Sequence, residues 1–422
     1  MKKVLIIGSI WPYHKGAARL PGLAKYLSEF GWEPVVLTQP LPKDVKLGFR
    51  TVEVPHKNKL DAILRFFGLN PKQSIKKQFN QKLGIKSKKS FMDFIFLRLR
   101  EVLHYPDANK GWKSPALKAG SRLLEQEDIK AIISVSPPII NNLIARELKL
   151  KYGVPWVADF PHLWSQNNGY PYSPVRHFFD RRLELKTLAK ADMLATINQP
   201  LVEQLGTLHK GKNVIAVNHG FDPDTINIPA AKLTDKFSIT YTGSFSPNIK
   251  EPTKLFKAIR KLIDNGVMDA DKIEIRLYGP PEIWIDDDIQ KYGLSGVAKQ
   301  YGVVPQETVF ARQRDSQLLL VPKDEQEQQT GMLSLKFFEY LAARRPILAT
   351  DGHKDIVDEK LEETGAGIVA ATDREIEQAL ENFYKEYLET GELSYTAKEN
   401  SIERYSQRGM AEEFAGLLNS LL

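Results

Sequence analysis

Residues 3 to 8, KVLIIG, form a continuous apolar run, and the stretch GAARLPGLAKYLSEFG behind it repeats Leu20, Leu23, Ala24 and Leu27 at the i, i+3, i+4, i+7 spacing of one helix face. WEPVVLTQP then returns to a short apolar run after a glycine that ends the helix, so the opening reads strand, helix, strand. Two parallel strands need such a crossover, and the order predicts an α/β sheet. The rhythm breaks over residues 57–113, which read as helical and include FMDFIFLRLREVLHY. It then resumes, with AIISVS, VPWVADF, DMLATI and NVIAVNHG as strands and PIINNLIARELKLKYG and PVRHFFDRRLELKTLAKA as helices.

NHGFDPDTINIPAAKLTDK is polar and carries prolines, which suits a linker, and the alternation starts afresh behind it. FSITYTG, KIEIRLYG, VAKQYGVV, QLLLVP and PILAT read as strands; 250–264, 306–314 and 332–343 read as helices. A chain of 422 residues is too long for one ordinary core. The pattern therefore predicts two doubly wound, Rossmann-like domains: residues 1–222 with the helical insertion near 57–113, then residues 223–400. A last helical stretch, 401–422, is expected to cross back to the first domain. Doubly wound sheets take ligands at the carboxyl ends of their strands, so a cleft between two facing sheets is expected to hold the substrate.

Composition narrows the chemistry. Hydrophobic residues at 42% and charged residues at 26% are ordinary for a folded globular chain, and no run approaches the ~18 apolar residues of a membrane span. The apolar start lacks a small-residue cleavage site and reads as a first strand rather than a signal peptide. The absence of cysteine excludes disulfides and thiolate chemistry and is compatible with a reducing cytoplasm. The net charge of +7 is concentrated: residues 57–113 hold 14 Lys or Arg against Asp61, Asp93, Glu101 and Asp107, leaving 45 basic and 48 acidic residues elsewhere. A local anionic partner fits this better than a nucleic-acid coat.

Several common sites drop out. Gly8 is followed by no second glycine until Gly16, so the dinucleotide fingerprint fails, no P-loop or HExxH occurs, and the eight histidines show no metal-ligand spacing. Gly16 opens the first helix, where a missing Cβ would let a phosphate or sugar approach the free N–H groups; as a turn glycine it can equally be structural. The stretch TGMLSLKFFEYLAARRPILATDG, 330–352, sets Lys336 and Glu339 on one helix face amid Phe337, Phe338, Tyr340 and Leu341. They read either as an exposed ion pair contributing roughly 0.2–0.5 kcal/mol, or as a nucleotide diphosphate site. In the second reading the lysine takes phosphate, the carboxylate takes vicinal ribose hydroxyls, and the helix N-terminus adds its amides.

SLKFFEYLAARRPILAT resembles the block LSLKxFEYLAxxRPILA of retaining GT-B glycosyltransferases of the family-4 kind, in particular the branch that builds bacterial polysaccharides. ISVSPP, GVPWVADF, LAKADMLATI and SITYTGSF are similar to that family's other blocks, in the expected order over both domains. The resemblance implies a nucleotide-sugar donor, UDP- or GDP-linked, held mainly by the second domain, a hydroxyl acceptor held mainly by the first, and no metal or other cofactor.

Carried over by position, Glu339 is similar to the carboxylate that accepts from ribose, and Lys336 to a donor-phosphate ligand. Gly331 stands eight residues before Glu339, where many relatives have another glutamate on the donor sugar. The resemblance leaves the backbone around Gly331, Met332 and Leu333 to reach the sugar and pyrophosphate. Many relatives follow the glycine corresponding to Gly243 with an arginine and then a lysine; here Ser244 takes the arginine's place and Lys250 lies near the lysine's. Asp159 ends VPWVADF where relatives often have a histidine near the reacting carbon. It is expected to orient an acceptor hydroxyl or support positive charge on the sugar, or else to cap a helix. His162, beside it, is a candidate acceptor or sugar contact, and Val304 in YGVVPQE a candidate base contact.

The expected activity is transfer of a sugar to a hydroxyl with retention of configuration, in cell-surface polysaccharide or glycolipid assembly, with a saccharide or lipid-linked saccharide as acceptor. Phe91, Phe94, Ile95, Leu97, Leu99, Val102 and Leu103, with lysines just upstream, read as an amphiphilic block that either rests on anionic lipid at the inner membrane face or is buried. The aromatics are not interleaved with the basic residues, which argues against nucleic acid. The alternatives are a non-catalytic nucleotide-sugar-binding scaffold and a GT-B nucleotide-sugar epimerase.

Overall fold

The computed structural model describes residues 1–8, 19–42, 47–55, 98, 101–167, 172–225, 232–247, 251–323, 333–352 and 354–422. The described residues divide into two compact units, Met1–Asn218 with Ala411–Leu422, and His219–Met410. Of the insertion near 57–113 only Arg98 and residues from 101 onward are described, so most of the amphiphilic block lies outside the described residues, as do Gly16, Lys250, Gly331 and Met332.

The first unit is a seven-stranded sheet in the order β3-β2-β1-β4-β5-β6-β7, with every neighbouring pair parallel. Its strands are β1 (Lys2–Ile7), β2 (Trp32–Thr38), β3 (Arg50–Glu53), β4 (Ile129–Val135), β5 (Trp156–Phe160), β6 (Met193–Thr196) and β7 (Val214–Ala216). Its helices are α1 (Arg19–Tyr26), α2 (Lys113–Gln126), α3 (Ile140–Tyr152), α4 (Pro174–Leu188) and α5 (Gln199–Leu208). Val4 to Ile7 are fully buried, as a strand covered on both faces by crossover helices requires. The predicted first helix is shorter than its apolar spacing: α1 stops at Tyr26 and tightens into a 3-10 turn over Leu27–Phe30. Gly31 closes that turn at φ 85°, where its N–H returns to Leu27 and Ser28.

The second unit has six parallel strands in the order β10-β9-β8-β11-β12-β13. They are β8 (Phe237–Thr242), β9 (Ile273–Tyr278), β10 (Ala298–Gly302), β11 (Leu318–Pro322), β12 (Ile347–Thr350) and β13 (Gly367–Ala370). The helices are α6 (Thr253–Asp264), α7 (Ile283–Lys291), α8 (Gln306–Arg314), α9 (Leu335–Ala343), α10 (Ile356–Thr364), α11 (Asp373–Thr390) and α12 (Glu399–Glu403); the last helix, α13 (Gln407–Ser420), starts in this unit and from Ala411 onward belongs to the first. One apolar cluster joins the sheet to α6, α7 and α11, and another joins it to α9, α10 and Tyr405. The sheet is thus covered on both faces. Strand order reverses between β8 and β11, the switch point at which doubly wound sheets open a crevice at their carboxyl ends.

Candidate functional site

At that switch point the end of β8, α8 and α9 meet. α9 buries Phe337, Phe338, Tyr340 and Leu341, and this apolar face fixes where the intervening charged positions 336 and 339 go. Tyr340, fully buried, accepts the Thr242 backbone N–H at 2.9 Å, which ties the helix to the last residue of β8.

Lys336 lies over the Tyr241 ring, 4.6 Å from its centroid, and donates to the Tyr241 hydroxyl at 2.8 Å. The Tyr241 hydroxyl donates in turn to the Ser244 carbonyl at 2.8 Å. The lysine crosses the backbone of Gly243 so closely that a Cβ there would sit 2.0 Å from Nζ; Gly243 has φ +149°, which a side chain would strain. Gly279, at φ +155°, would likewise place a Cβ 1.9 Å from the Gly243 carbonyl. Two glycines therefore let the strand ends approach one another beneath one ammonium.

Glu339 is half-buried and accepts from Gln313 Nε2 at 3.1 Å; the same amide donates to Thr242 Oγ1 at 2.9 Å. Burial raises the Glu339 pKa above the ordinary 4.5, against the opposing effects of the Gln313 hydrogen bond and the Lys336 charge. A neutral carboxamide orients the acid without supplying the charge that would hold it ionised. Burial also raises the pKa of Tyr241 above 10, so the group beneath Lys336 is a neutral phenol. Ser244 is exposed, Leu333 is buried, and Val304 is half-buried in the loop after β10. Lys254, the next lysine after position 250, is paired with Asp351 at 2.6 Å. Among the described residues no group of acids and histidines is arranged to hold a metal ion.

In the first unit Asp159 is the next-to-last residue of β5 and has no exposed surface. Both of its oxygens are taken by Arg19, at 2.8 Å from Nε and 2.9 Å from Nη2. Arg19 opens α1, donates from Nη1 to the Asn218 carbonyl at 3.0 Å, and stacks on Phe414 at 5.3 Å. His162 is exposed on the loop after β5, where partial desolvation lowers its pKa below the usual 6.5. Lys336, Glu339, Gly243 and Ser244 are brought together at the end of β8, whereas Asp159 and His162 belong to the other unit.

Gln313, Tyr241, Thr242 and Arg19 complete these clusters without having been expected from sequence. Tyr241 and Thr242 lie inside SITYTGSF and so had a signal. Gln313 and Arg19 had none, because their partners are 26 and 140 residues away.

Residues 236–386 match the family profile described as glycosyl transferases group 1, which takes in the whole cluster around Lys336 and Glu339. Among curated proteins no sequence match is found. Solved structures align over both units. Sucrose-phosphate synthase from Thermosynechococcus elongatus is 14% identical with a TM-score of 0.58, covering 100% of this chain and 99% of its own. A glycosyltransferase from Rickettsia africae is 12% identical with a TM-score of 0.60, covering 100% and 98%. The Anabaena protein HepE, in complex with UDP-glucose, is 11% identical with a TM-score of 0.55, covering 100% of both chains. At these identities the likeness is one of fold: two Rossmann-like domains of the GT-B class.

Proposed function

We propose that this chain, whose second unit carries the glycosyl transferases group 1 match, transfers a sugar from a nucleotide diphosphate to an acceptor hydroxyl with retention of configuration and without a metal. The observation that carries the reading is the placing of Lys336 and Glu339, together, at the switch point of the second sheet inside the matched region. Glu339 accepts from the ribose hydroxyls while Gln313 fixes its carboxyl. Lys336, aimed across Gly243, meets the diphosphate, and the family resemblance adds Lys250 and the amides of residues 331–333 as further donors. The bond from the anomeric carbon to the diphosphate oxygen breaks as the acceptor oxygen bonds that carbon on the same face. The acceptor proton passes to the departing diphosphate. The protein's contribution is fixed positive charge where negative charge develops.

Asp159 enters this reading as a positioning residue, since its oxygens are spent on Arg19 and the start of α1. His162 remains the acceptor-side contact, and Val304 faces the base. The acceptor is a saccharide or lipid-linked saccharide in cell-surface polysaccharide assembly, on the cytoplasmic side, with the basic segment 57–113 against anionic lipid. HepE was solved with UDP-glucose, which makes UDP the first nucleotide to try.

The test is a thermal-shift panel of UDP, GDP, ADP and CMP on wild type and Glu339→Ala. One diphosphate should stabilise the wild type, by about 2.7 kcal/mol at 100 times its Kd, and lose that effect in the variant. No shift with any of them, in folded protein, would sink the donor site. Transfer to a saccharide acceptor, followed by NMR of the product's anomeric proton, then separates an enzyme from a nucleotide-binding scaffold and reads retention directly.

A further inference from the structure

Helix α4 is built inside out. The side chains it buries include Arg176, Asp180 and Glu184, at i, i+4 and i+8, while Val175, Phe178, Phe179 and Leu185 are exposed. The charged stripe is held within the first unit by partners on other elements as well as on the helix itself. Arg176 donates to Asp180 at 2.7 Å and to the carbonyls of Glu101 and Pro106, both at 2.6 Å, and its guanidinium lies 4.6 and 4.9 Å from the rings of Tyr105 and Tyr172. Glu184 accepts from the Ser165 N–H at 2.9 Å and pairs with His209 at 3.1 Å. Such a network fixes which face points outward, because rotating the helix would strand three charges.

The outward face is unusual for a surface helix. Val175 is 68% exposed, Phe178 54% and Phe179 51%, and the two rings meet edge to face at 5.6 Å. The segment around Glu101 is tied to the start of α4 through Ser173, and it adds Val102 at 72% exposure beside Leu103. Between and beyond these apolar groups stand Arg181, Arg182 and Lys186, all exposed, with Arg182 over the Phe178 ring at 5.3 Å. Both acids of α4, Asp180 and Glu184, are buried, so the exposed face of the helix carries cations and apolar groups and no carboxylate.

We propose that this face docks on an anionic lipid bilayer, with Phe178, Phe179, Val175 and Val102 entering the headgroup region and Arg181, Arg182 and Lys186 on lipid phosphates. The occupant follows from charge. Apolar insertion flanked by cations is the pattern of an interfacial helix, and each basic group near an anionic leaflet adds to the attraction. The basic segment 57–113 would bring like charge onto this face if it were the cover, whereas an anionic surface satisfies both. The proposal does not rest on the donor site, and it centres the apolar anchor on α4, with Val102 the member of the amphiphilic block expected from sequence that joins it.

The experiment is co-sedimentation of the full chain with phosphatidylglycerol vesicles and with pure phosphatidylcholine vesicles, alongside Phe178→Glu/Phe179→Glu and Arg181→Gln/Arg182→Gln. Wild type should pellet with the anionic vesicles and not with the neutral ones, less so as salt rises. The phenylalanine pair should lose at least about tenfold in binding and the arginine pair several-fold, with unfolding temperatures unchanged. Three results overturn the proposal: binding to neither vesicle; a phenylalanine pair that loses thermal stability instead, meaning the chain itself covers the face; or a wild-type dimer in light scattering that the pair makes monomeric, meaning a second copy does. UDP binding measured on the same variants should be unaltered, so this proposal and the donor-site reading fail separately.

Discussion

Asp159 in the first unit and Glu339 in the second are both acids at the edge of a parallel sheet's carboxyl end, but they are held in different ways. Asp159 is fully buried and gives each oxygen to the Arg19 guanidinium. Glu339 is half-buried, is oriented by the carboxamide of Gln313, and has a raised pKa. The first arrangement neutralises charge inside the protein and fixes the start of α1. The second holds a carboxylate in place while leaving its ionisation only weakly supported, which suits a group that must still gain donors from a ligand. Carboxylate burial alone would have ranked Asp159 as the functional acid; the chemistry of the partner reverses that ranking.

Asp159→Ala should give the largest effect that separates the two. It would leave Arg19 buried without its counter-charge, and breaking one side of a buried pair costs about 3–5 kcal/mol. Urea unfolding should show that loss, while the double variant Asp159→Leu/Arg19→Met, which removes both charges, should recover most of it. If the single variant were as stable as wild type, the pair would not be the tie that the geometry indicates.

Glu339→Gln should do the reverse: little change in stability, or a small gain, because it removes an acid whose ionisation the fold opposes. Exchanging a charged acceptor for a neutral one should weaken UDP by roughly 10- to 100-fold, in line with the ~1.5–3 kcal/mol of a charge-assisted hydrogen bond. The sign with pH follows from the raised pKa. Its contribution to folding stability is present in the protonated form below the unfolded value of 4.5 and is lost as pH rises through the higher folded value. Binding moves oppositely, fading as pH falls through that folded value because the ribose needs the carboxylate. Calorimetric titration of UDP across the weakly acidic range should show the fade in wild type and not in Glu339→Gln; an identical pH profile in both would remove Glu339 from the nucleotide.

Much of the fold was legible because parallel sheets buried on both faces write each strand as a short apolar run. KVLIIG, VPWVADF, FSITYTG, QLLLVP and PILAT all fall on observed strands. What the pattern missed were elements with weaker apolar signatures: β3, RTVE, is half-exposed along its length, and β13, GIVA, buries only Ala370. The helix bearing Lys336 and Glu339 was legible from Phe337, Phe338 and Leu341, although it begins at Leu335 rather than 332. Partners were not legible. Nothing in Asp159's surroundings in sequence announces Arg19, and PVRHFFDRRLELKTL does not reveal that Arg176, Asp180 and Glu184 turn inward while two phenylalanines turn out. Periodicity finds a stripe, but which stripe is buried depends on whether its charges meet partners supplied by other elements.

The smallest predicted effect tests the neutral partner of Lys336. Tyr241→Phe keeps the ring beneath the ammonium and deletes the hydroxyl that accepts from Nζ and donates to the Ser244 carbonyl. Because burial keeps that phenol un-ionised at working pH, its part is to aim the lysine across Gly243 rather than to neutralise it. Losing one such bond is worth about 1 kcal/mol, or roughly fivefold. The loss should fall on UDP and spare uridine if, as proposed, Lys336 meets the diphosphate. Equal losses for the two ligands would mean that Tyr241 shapes the whole crevice. No loss for either would mean that Lys336 is held without the Tyr241 hydroxyl, and the contrast with Asp159 would then rest on Glu339 and Gln313.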